Sequence, residues 1–427
     1  MELSRRHLLR NGLYGMAGLA VGATAAACGN SSGSGSGGVP ASMTLWYWSG
    51  GLSDKVVADA VKKFSQTKLK SSVIGGDFKQ KLQTTMASGK YVPDITGIKG
   101  EDIASLLPHA DKFIDLNTLG ADKLASQYLS WKWKQGSTQD GKLIGFPIDI
   151  GPTAMYYRED LFQQAGLPTD PAKVAAAMST WDDWLQAGVE LHGKLPKTFM
   201  VNNDGSIFGN VVGQGAERFI DSGGKFIGDQ DHIRKAWDLS VKAVSLGVDA
   251  KINDNSWNAA IGNGTLATEI GAAWHALDIE QAAPDLKGSW RVAASPGGAA
   301  NIGGSFLAIP KQCSDPALAF QIITWILDAA NQARGFTDDA LFPSTPASYS
   351  LPALTAADPY FGGQATIDVF GPSAKAIPVQ YQAPADSAVS TPYYNELTNV
   401  ETGKNPDTAW SDAVSQAKQV FQQQQAS

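Results

Sequence analysis

The chain has 427 residues and a formal net charge of −7. Its hydrophobic fraction of 43% and charged fraction of 18% are typical of a globular protein, exclude an intrinsically disordered chain, and leave room for about two or three domains. The acidic balance and the lack of a basic stripe disfavour nucleic-acid binding.

The sequence offers little for a disulfide framework or a metal site. It has two cysteines, Cys28 and Cys313, and five histidines that lack the spacing of metal ligands. We therefore predict that the protein uses neither a metal nor another cofactor.

The N-terminal segment predicts an export signal. Arg5 and Arg6 precede an apolar run of small residues over 12–27, which is short of the roughly 20 residues that span a membrane. The Arg-Arg segment resembles a twin-arginine export motif. The Ala-Ala-Ala-Cys-Gly order around Cys28 resembles a bacterial lipobox, in which the cysteine is acylated and becomes the mature N-terminus. Ala25 stands where that pattern usually has Leu or Val, so an ordinary signal peptide cut near Cys28 is the alternative.

A tether is predicted directly after this signal. Residues 29–42 are rich in Gly and Ser, a composition that behaves as a flexible coil. A signal over 1–28, a lipid site at Cys28, a tether and a folded body follow each other in the order of a lipoprotein. We expect such a protein to lie outside the cytoplasm, anchored to the outer face of the cytoplasmic membrane of a bacterium.

From residue 43 onward, apolar periodicity and capping residues predict alternating strands and helices. Ser53 and Asp77 are placed to cap two helices, and Gly89 to end the second. Strands are predicted over 43–48, 72–74 and 94–98, with a helix after each, the last over 101–107. This alternation predicts a parallel sheet flanked by helices.

The second half of the chain continues with less regular alternation. Thr180 opens one predicted helix, and Asp315 followed by Pro316 is a strong start signal for another. Extended segments are predicted over 143–150, 153–157 and 303–309, and helices over 181–191 and 237–246, from 316 onward, and around 410–421. Residues 343–395 are rich in Pro, Gly and Ser and have weak periodicity.

A series of segments in the body matches one known family in consistent order. The segments are Asp-Gly-Lys-Leu-Ile-Gly-Phe-Pro-Ile-Asp at 140–149, Ala-Met-Tyr-Tyr-Arg-Glu-Asp-Leu-Phe at 154–162, Ala-Gly-Leu-Pro at 165–168, Thr-Trp-Asp-Asp-Trp at 180–184, the Gly-rich 262–267 with Gly-Ala-Ala-Trp at 271–274, and 303–311 with the helix after it. Together they resemble the sugar-type extracellular solute-binding proteins of bacteria (family 1, maltose-binding-protein-like). Arg158 departs from the family's usual Tyr-Asn after Tyr157, which we interpret as a subfamily difference.

The resemblance implies an α/β, two-lobe fold like that of periplasmic binding proteins, with a hinge of crossover segments and a ligand cleft between the lobes. Lobe 1 would comprise residues 43–148 and 306–345, and lobe 2 residues 149–305 and 346–427. It also implies a monomer that captures a carbohydrate, in our interpretation an oligosaccharide, and delivers it to the permease subunits of an ABC importer in the membrane.

Candidate ligand contacts follow from the fold and from sugar chemistry. Ligands of open α/β sheets bind beyond the carboxyl ends of the strands, and a sugar needs aromatic plates for its C–H face and polar groups for its hydroxyls. The candidates are Trp48, Ser49, Gly51, Asp77, Phe78, Lys99, Glu101, Asp149, Trp257, Trp274, His275, Gly304, Ser305 and Phe342. Trp274 is the preferred stacking plate and Asp149 the preferred polar contact.

Several candidates have a structural alternative. The tryptophans could be core, Asp77 could be only a helix cap, and Gly304 and Ser305 could serve only the geometry of a strand start. Lys99 and Glu101 could be a solvated surface pair.

Three other functions stay open at this point. Paired carboxylates beside aromatic residues also serve carbohydrate-active enzymes, although the sequence has no nucleophile elbow, zinc motif or phosphate loop. A structural lipoprotein is the second. The third is a binding protein for another polar solute such as a glycerophosphodiester, which the lack of an Arg cluster in the predicted cleft loops disfavours.

Overall fold

The computed structural model describes residues 42–252 and 254–426. The predicted signal, Cys28 and all but the last residue of the predicted tether lie outside these residues. The described strands are β1 (Thr44–Tyr47), β2 (Lys70–Val73), β3 (Ile95–Lys99), β4 (Phe146–Ile150), β5 (Thr153–Arg158), β6 (Thr268–Ala272), β7 (Trp290–Ala293), β8 (Ser305–Ala308) and β9 (Phe342–Pro343).

The larger of two sheets, called the large sheet, has the strand order β2-β1-β3-β8-β4-β9. β1 pairs in parallel with β2 and β3, whereas β8 runs antiparallel to β3 and β4. The prediction of a parallel sheet is therefore confirmed for the first three strands and wrong for the rest. The reason is that β8 enters where β3 ends, so that Ser305 pairs with Lys99 and the strand runs backwards.

The second sheet, called the small sheet, has the order β6-β5-β7, and both pairings are antiparallel. The chain passes from the large sheet to the small one at Gly151 and Pro152, and it returns between Ala293 and Ser305. We refer to each sheet with its packed helices as the large-sheet lobe and the small-sheet lobe.

Helices surround both sheets. The α-helices are α1 (Asp54–Lys63), α2 (Phe78–Ser88), α3 (Gly100–Leu106), α4 (Ser130–Gln135), α5 (Glu159–Ala165), α6 (Pro171–Ala177), α7 (Trp181–Lys194), α8 (Asp204–Gly213), α9 (Asp231–Leu246), α10 (Asp254–Asn263), α11 (His275–Ala282), α12 (Pro316–Ile326), α13 (Ala329–Asp339), α14 (Pro352–Thr355), α15 (Ile367–Ala376), α16 (Asp386–Glu401) and α17 (Pro406–Ala426). Short 3₁₀ segments cover Ser65–Thr67, Leu107–Lys112, Leu116–Leu119, Ala121–Gln127, Pro284–Leu286 and Pro346–Ser350. Within the described residues, no helix has both the length and the apolar character needed to cross a membrane.

The predicted helix starts are confirmed by their hydrogen bonds. Ser53 accepts from the Val56 N–H, and Asp77 accepts from the Gln80 N–H at 2.9 Å. Thr180 and Asp315 cap α7 and α12 in the same way. These side chains satisfy backbone donors that a helix leaves unpaired in its first turn, which is why they could be read from sequence.

The region without clear periodicity, 343–395, holds α15 and most of α16. Both helices contain a proline, Pro372 in one and Pro392 in the other. A proline inside a helix lacks the N–H that a regular helix uses for hydrogen bonding, so a sequence with an interior proline does not favour a helix. Packing against the rest of the chain compensates, since Phe370 and Tyr393 are both buried.

The core follows the two-residue period of the strands. In β5, Met155 and Tyr157 face the apolar cluster of α7, whereas Tyr156 faces the opposite cluster. That opposite cluster also contains Ile150 and Phe342 of the large sheet, so it joins the two lobes beside the crossings.

Candidate ligand-binding site

At the carboxyl ends of β1 and β3, the indole ring of Trp48 packs against glycine backbone. A Cβ atom at Gly97 or at Gly51 would lie 2.7 Å from the nearest atom of the Trp48 ring. Both positions therefore need glycine for the ring to lie flat against the chain. Phe78 meets Trp48 edge-on with ring centroids 5.2 Å apart. Trp48 is half-buried, so this geometry holds an aromatic plate that keeps one part accessible.

Two charged side chains lie at the same edge of the large sheet. The Lys99 Nζ lies 5.6 Å from the centroid of the Trp48 ring, within the range of a cation–π contact. Glu101, in the first turn of α3, reaches solvent, yet surrounding protein removes enough hydration to raise the pKa of its carboxyl, and Asp102 adds to the increase. The edge of the large sheet thus combines an aromatic face with a hydrogen-bond donor and an acceptor.

Beneath this edge lies a buried polar group between β4 and β8. The Ser305 hydroxyl donates to an Asp149 carboxylate oxygen, and Asp149 is only 6% exposed. Burial raises the pKa of Asp149, while the nearby Lys132 and the Ser305 hydroxyl oppose the increase. Asp149 therefore already has a hydroxyl and a cation as partners inside the protein.

The two crossings between the sheets are hydrogen-bonded to each other. The Gly151 N–H donates to the Asn301 Oδ1 at 2.9 Å, and the Ile302 N–H donates to the Gly151 carbonyl at 2.9 Å. A Cβ at Gly151 would lie 1.8 Å from the Ile302 carbonyl oxygen, so no larger residue fits without a backbone shift. Gly303 and Gly304 follow with φ angles of 81° and 80°, which favour glycine.

The second crossing also contacts the large-sheet edge. The Gly100 N–H, at the start of α3, donates to the Gly304 carbonyl at 2.7 Å. Ser305 pairs with Lys99 in the neighbouring strand. The loop that joins the lobes is thus fixed directly beside the elements that hold Trp48, Lys99 and Glu101.

On the small-sheet side, Trp274 stands next to the same crossing. Its indole N–H donates to the Ile302 carbonyl at 3.3 Å, and its ring stacks on His275 with centroids 4.0 Å apart and an interplanar angle of 19°. The His275 Nδ1 accepts from the Ala272 N–H at 3.0 Å, which requires an unprotonated nitrogen there. Burial lowers the pKa of His275 to about 4, so the ring is neutral at physiological pH.

The geometry therefore places two half-buried indoles beside one crossing, Trp48 on the large-sheet lobe and Trp274 on the small-sheet lobe. A family model described as bacterial extracellular solute-binding protein matches residues 56–362, well over half of the chain. The chain belongs to this family.

Relatives and a solved structure agree with this assignment. The chain is 27% identical over 316 residues to the arabinooligosaccharide-binding protein of Bacillus subtilis (strain 168), covering 66% of this chain and 68% of that protein. It is 24% identical over 343 residues to the lactose-binding protein of Rhizobium radiobacter, covering 75% and 79%. A crystal structure of an extracellular solute-binding protein of family 1 superimposes with a TM-score of 0.85 at 30% identity, covering 90% of this chain and 100% of that one.

These matches test several of the predictions. The family drawn from the motifs is confirmed, and so is the two-lobe α/β fold. The family is extracellular, which confirms a location outside the cytoplasm for this solute-binding protein. The family and the curated relatives are binding proteins rather than enzymes.

The structure brings most of the predicted contacts of this solute-binding protein to one region. Around the crossing lie Trp48, Ser49, Gly51, Phe78, Lys99, Glu101, Asp149, Trp274, His275, Gly304 and Ser305. Asp77 caps α2 next to Phe78 and is exposed. Their roles toward a ligand stay predictions.

Two candidates have side chains that are buried in the core. Trp257 is 9% exposed in the apolar cluster that joins the lobes, and its indole N–H donates to a Glu269 oxygen at 2.9 Å. Phe342 is 1% exposed and packs against the rings of Phe336 and Tyr349. Both occupy core positions, because their strand and helix pack inward.

Sequence reasoning missed the polar groups that hold the crossing region. Lys132 on α4 is fully buried beside Asp149, and Asn301 bonds both crossings. Lys132 stands between Trp131 and Trp133 on a short helix. The two aromatic neighbours indicate that much of the helix surface is apolar, and this was the available signal that Lys132 could be buried. The partners of Lys132 come from distant segments of the chain, so they cannot be predicted from the sequence around it.

Proposed function

We propose that this protein captures a carbohydrate, an oligosaccharide, outside the cell and delivers it to the permease of an ABC importer. The observation that supports this most is the pair of half-buried indoles, Trp48 and Trp274, on different lobes beside one crossing. The names of two relatives point the same way, since one binds arabinooligosaccharide and the other lactose.

The chemistry of the region suits a sugar. An indole face packs on the C–H face of a pyranose or furanose ring, and charged groups make hydrogen bonds to hydroxyls about twice as strong as neutral ones. Lys99 supplies a donor and Glu101 an acceptor next to the Trp48 plate. A ligand that contacts both indoles would favour the closed arrangement of the lobes, because that arrangement offers it more contacts.

The finer parts of the proposal concern the whole chain. We propose lobe boundaries close to 43–148 with 306–345 and 149–305 with 346–427, with the strand residues Asp149, Ile150 and Ser305 on the large-sheet side of the crossings. The Cys28 segment would carry the lipid anchor, and the exported protein would act as a monomer that docks on permease subunits and performs no catalysis.

A binding screen tests the carbohydrate. The purified protein is incubated with arabino-, galacto- and malto-oligosaccharides of two to four units, and thermal unfolding is followed. A ligand at about 100 times its Kd should add about 2.7 kcal/mol to the free energy of unfolding. Stabilisation without sugar products in chromatography supports a transport protein, whereas product formation would make it an enzyme. No stabilisation by any sugar would overturn the proposal.

Three tryptophan variants then test the site on any sugar that binds. Trp48→Ala and Trp274→Ala should each raise the Kd by about ten- to hundredfold, because each removes an aromatic face worth about 1.5 to 3 kcal/mol. Trp325→Ala is the matched control, since Trp325 is also half-buried but lies on α12 against Phe64. Calorimetry at a temperature where all variants are folded measures the Kd. Equal affinity of all three variants would refute the assigned plates.

A further inference from the structure

Lys132 is a fully buried lysine that has no assigned role in the candidate ligand-binding site. Its side chain has no exposed surface, and its Nζ lies 3.7 Å from the centroid of the Phe306 ring. The Nζ donates to the Gln135 Oε1 at 3.1 Å. Burial of an ammonium group costs free energy unless nearby charges and hydrogen bonds compensate, so the neighbours of Lys132 decide its state.

Acidic groups on two other elements act on Lys132. Asp149 on β4, held by the Ser305 hydroxyl, and Glu101 on α3 both favour the ammonium form. Burial opposes them and is the larger effect, so the pKa of Lys132 falls to about 7. The Phe306 ring and the backbone of Gly304 also lie against the amine. The amine therefore changes charge close to physiological pH.

Gln135 links this amine to the opposite lobe. The Gln135 Nε2 donates to the Gln382 Oε1 at 3.2 Å. Gln382 follows Gln380 and Tyr381, which are bonded to the carbonyls at the end of α8 and just after it. Since α8 belongs to the small-sheet lobe, Gln382 is fixed to that lobe, and the Gln135–Gln382 hydrogen bond spans the two lobes.

The protonation state of the amine sets the orientation of the Gln135 amide. An ammonium group only donates, so Gln135 must turn its oxygen toward Lys132 and its NH₂ toward Gln382. A neutral amine also accepts, and the opposite amide orientation then becomes possible. In that orientation the Gln135 oxygen would meet the Gln382 oxygen, and the bond between the lobes would be lost unless the Gln382 amide turned as well.

We propose that Lys132 is a positioning residue that couples the charge beneath the ligand site to the contact between the lobes through Gln135. In the ammonium form the Lys132–Gln135–Gln382 chain holds the lobes together on this side. In the neutral form the Lys132–Gln135 hydrogen bond loses its charge assistance and both orientations of the Gln135 amide are allowed, so the chain is weaker and the lobes separate more readily. The contact between lobes stands without any ligand, whereas an effect on sugar affinity rests on the proposed function.

Spin-label distance measurements between the lobes test the chain without a ligand. Lys90 and Lys235, exposed on the large-sheet and small-sheet lobes, are changed to Cys in the full-length chain with C28S and C313A. Between pH 6 and 8.5 the ratio of short to long interlobe distances should fall about fivefold, the factor for one hydrogen bond of about 1 kcal/mol, with a midpoint near 7.

Variants separate the mechanism from general charge effects. Lys132→Met should remove the pH response, whereas Lys134→Met should retain it, because Lys134 is an exposed lysine on the same helix. Gln382→Ala should also remove the response, and it tests the chain even where Lys132→Met fails to fold. A wild-type distance that is independent of pH, or a response that persists in Gln382→Ala, would overturn the inference.

The same samples keep this inference distinct from the proposed function. A pH response of the distances without binding of any sugar supports the chain and refutes the carbohydrate proposal. Sugar binding that depends on Trp274, together with interlobe distances that ignore pH, refutes the chain and supports the carbohydrate proposal.

Discussion

Two buried clusters of ionisable side chains in this protein offset the cost of burying charge in different ways. Beneath the candidate ligand site, Lys132 and Asp149 have opposite charges that compensate each other. In the small-sheet lobe, Asp204 and Asp249 are 1% and 3% exposed and lie with Glu401, so every side chain of that cluster is acidic. Among the described residues, the Oδ2 atoms of both aspartates lack a hydrogen-bond donor.

The acidic cluster depends on protons instead of a counter-charge. Burial first, and the nearby Glu401 second, raise the pKa of Asp204 to about 9. Burial raises the pKa of Asp249 to about 7, although the Lys251 N–H donates to it at 2.7 Å. A protonated Asp204 can donate to a neighbouring carboxylate, which turns a repulsion into a hydrogen bond. Like charges are thus tolerated at neutral pH because a proton is retained.

The two clusters should therefore respond to pH in opposite directions. The pKa of Lys132 is lowered, so between pH 7 and its ordinary value near 10.5 the unfolded chain binds more protons, and the free energy of unfolding rises with pH. The pKa of Asp204 is raised, so between about pH 4 and 9 the folded chain binds more protons. Its contribution to stability falls as the pH rises through that window.

The largest expected effect comes from breaking the mixed-charge cluster. Asp149→Ala leaves the Lys132 ammonium without its main counter-charge and should lower the free energy of unfolding by about 3 to 5 kcal/mol at pH 6. At pH 9 the loss should be smaller, because Lys132 is then neutral in both proteins. Urea unfolding at the two pH values measures it. Asp140→Ala, at an exposed carboxylate, is the control and should cost much less at both pH values. A loss in Asp149→Ala that is equal at pH 6 and pH 9 would contradict the pairing with Lys132.

A smaller effect of opposite sign is expected in the acidic cluster. Asp204→Asn removes a carboxyl that must stay protonated and supplies an NH₂ donor, so it should raise the free energy of unfolding at pH 8.5 by about 1 to 3 kcal/mol. At pH 5 the change should be close to zero, since the carboxyl is protonated there in the folded protein. Asp111→Asn, at an exposed aspartate, is the control. Destabilisation by Asp204→Asn at pH 8.5 would contradict a protonated Asp204, because it would show that the ionised carboxylate has a stabilising partner.

The smallest effect concerns the cation at the rim of the acidic cluster. The Lys251 Nζ donates to the Glu401 carbonyl at 2.7 Å, and its charge favours the ionised form of Asp249. Lys251→Gln should lower the free energy of unfolding by about 0.5 kcal/mol at pH 8.5, as for other exposed pairs, and leave it unchanged at pH 5. Thermal unfolding at both pH values measures it, and 1 M salt should abolish the difference at the higher pH.

Much of the fold could be predicted because its signals are local. Ser53, Asp77, Thr180 and Asp315 each act within one helical turn, so their spacing in the sequence is also their spacing in space. The antiparallel entry of β8 could not be predicted in this way, because the direction of a strand depends on where the connection before it crosses.

In the candidate site, too, the positions of strand ends could be predicted from local signals, whereas the burial of individual side chains could not. Trp48, Lys99 and Glu101 were predicted because they lie at the ends of strands, and apolar runs in the sequence indicate where strands end. Trp257 and Phe342 are aromatic candidates as well, but their side chains are buried in the core. A Trp or Phe looks the same in sequence whether its ring meets a ligand or another ring, since the neighbours that decide this come from other segments.

The sequence by itself determined the family, the helix starts and the strand ends that form the edge of the cleft. Only the tertiary structure decided that Lys132 is buried beside Asp149 and that Asp204 and Asp249 share a site with Glu401. The physical reason is that burial and charge act across space. The pKa of a side chain is therefore set by groups that the chain brings together from distant positions.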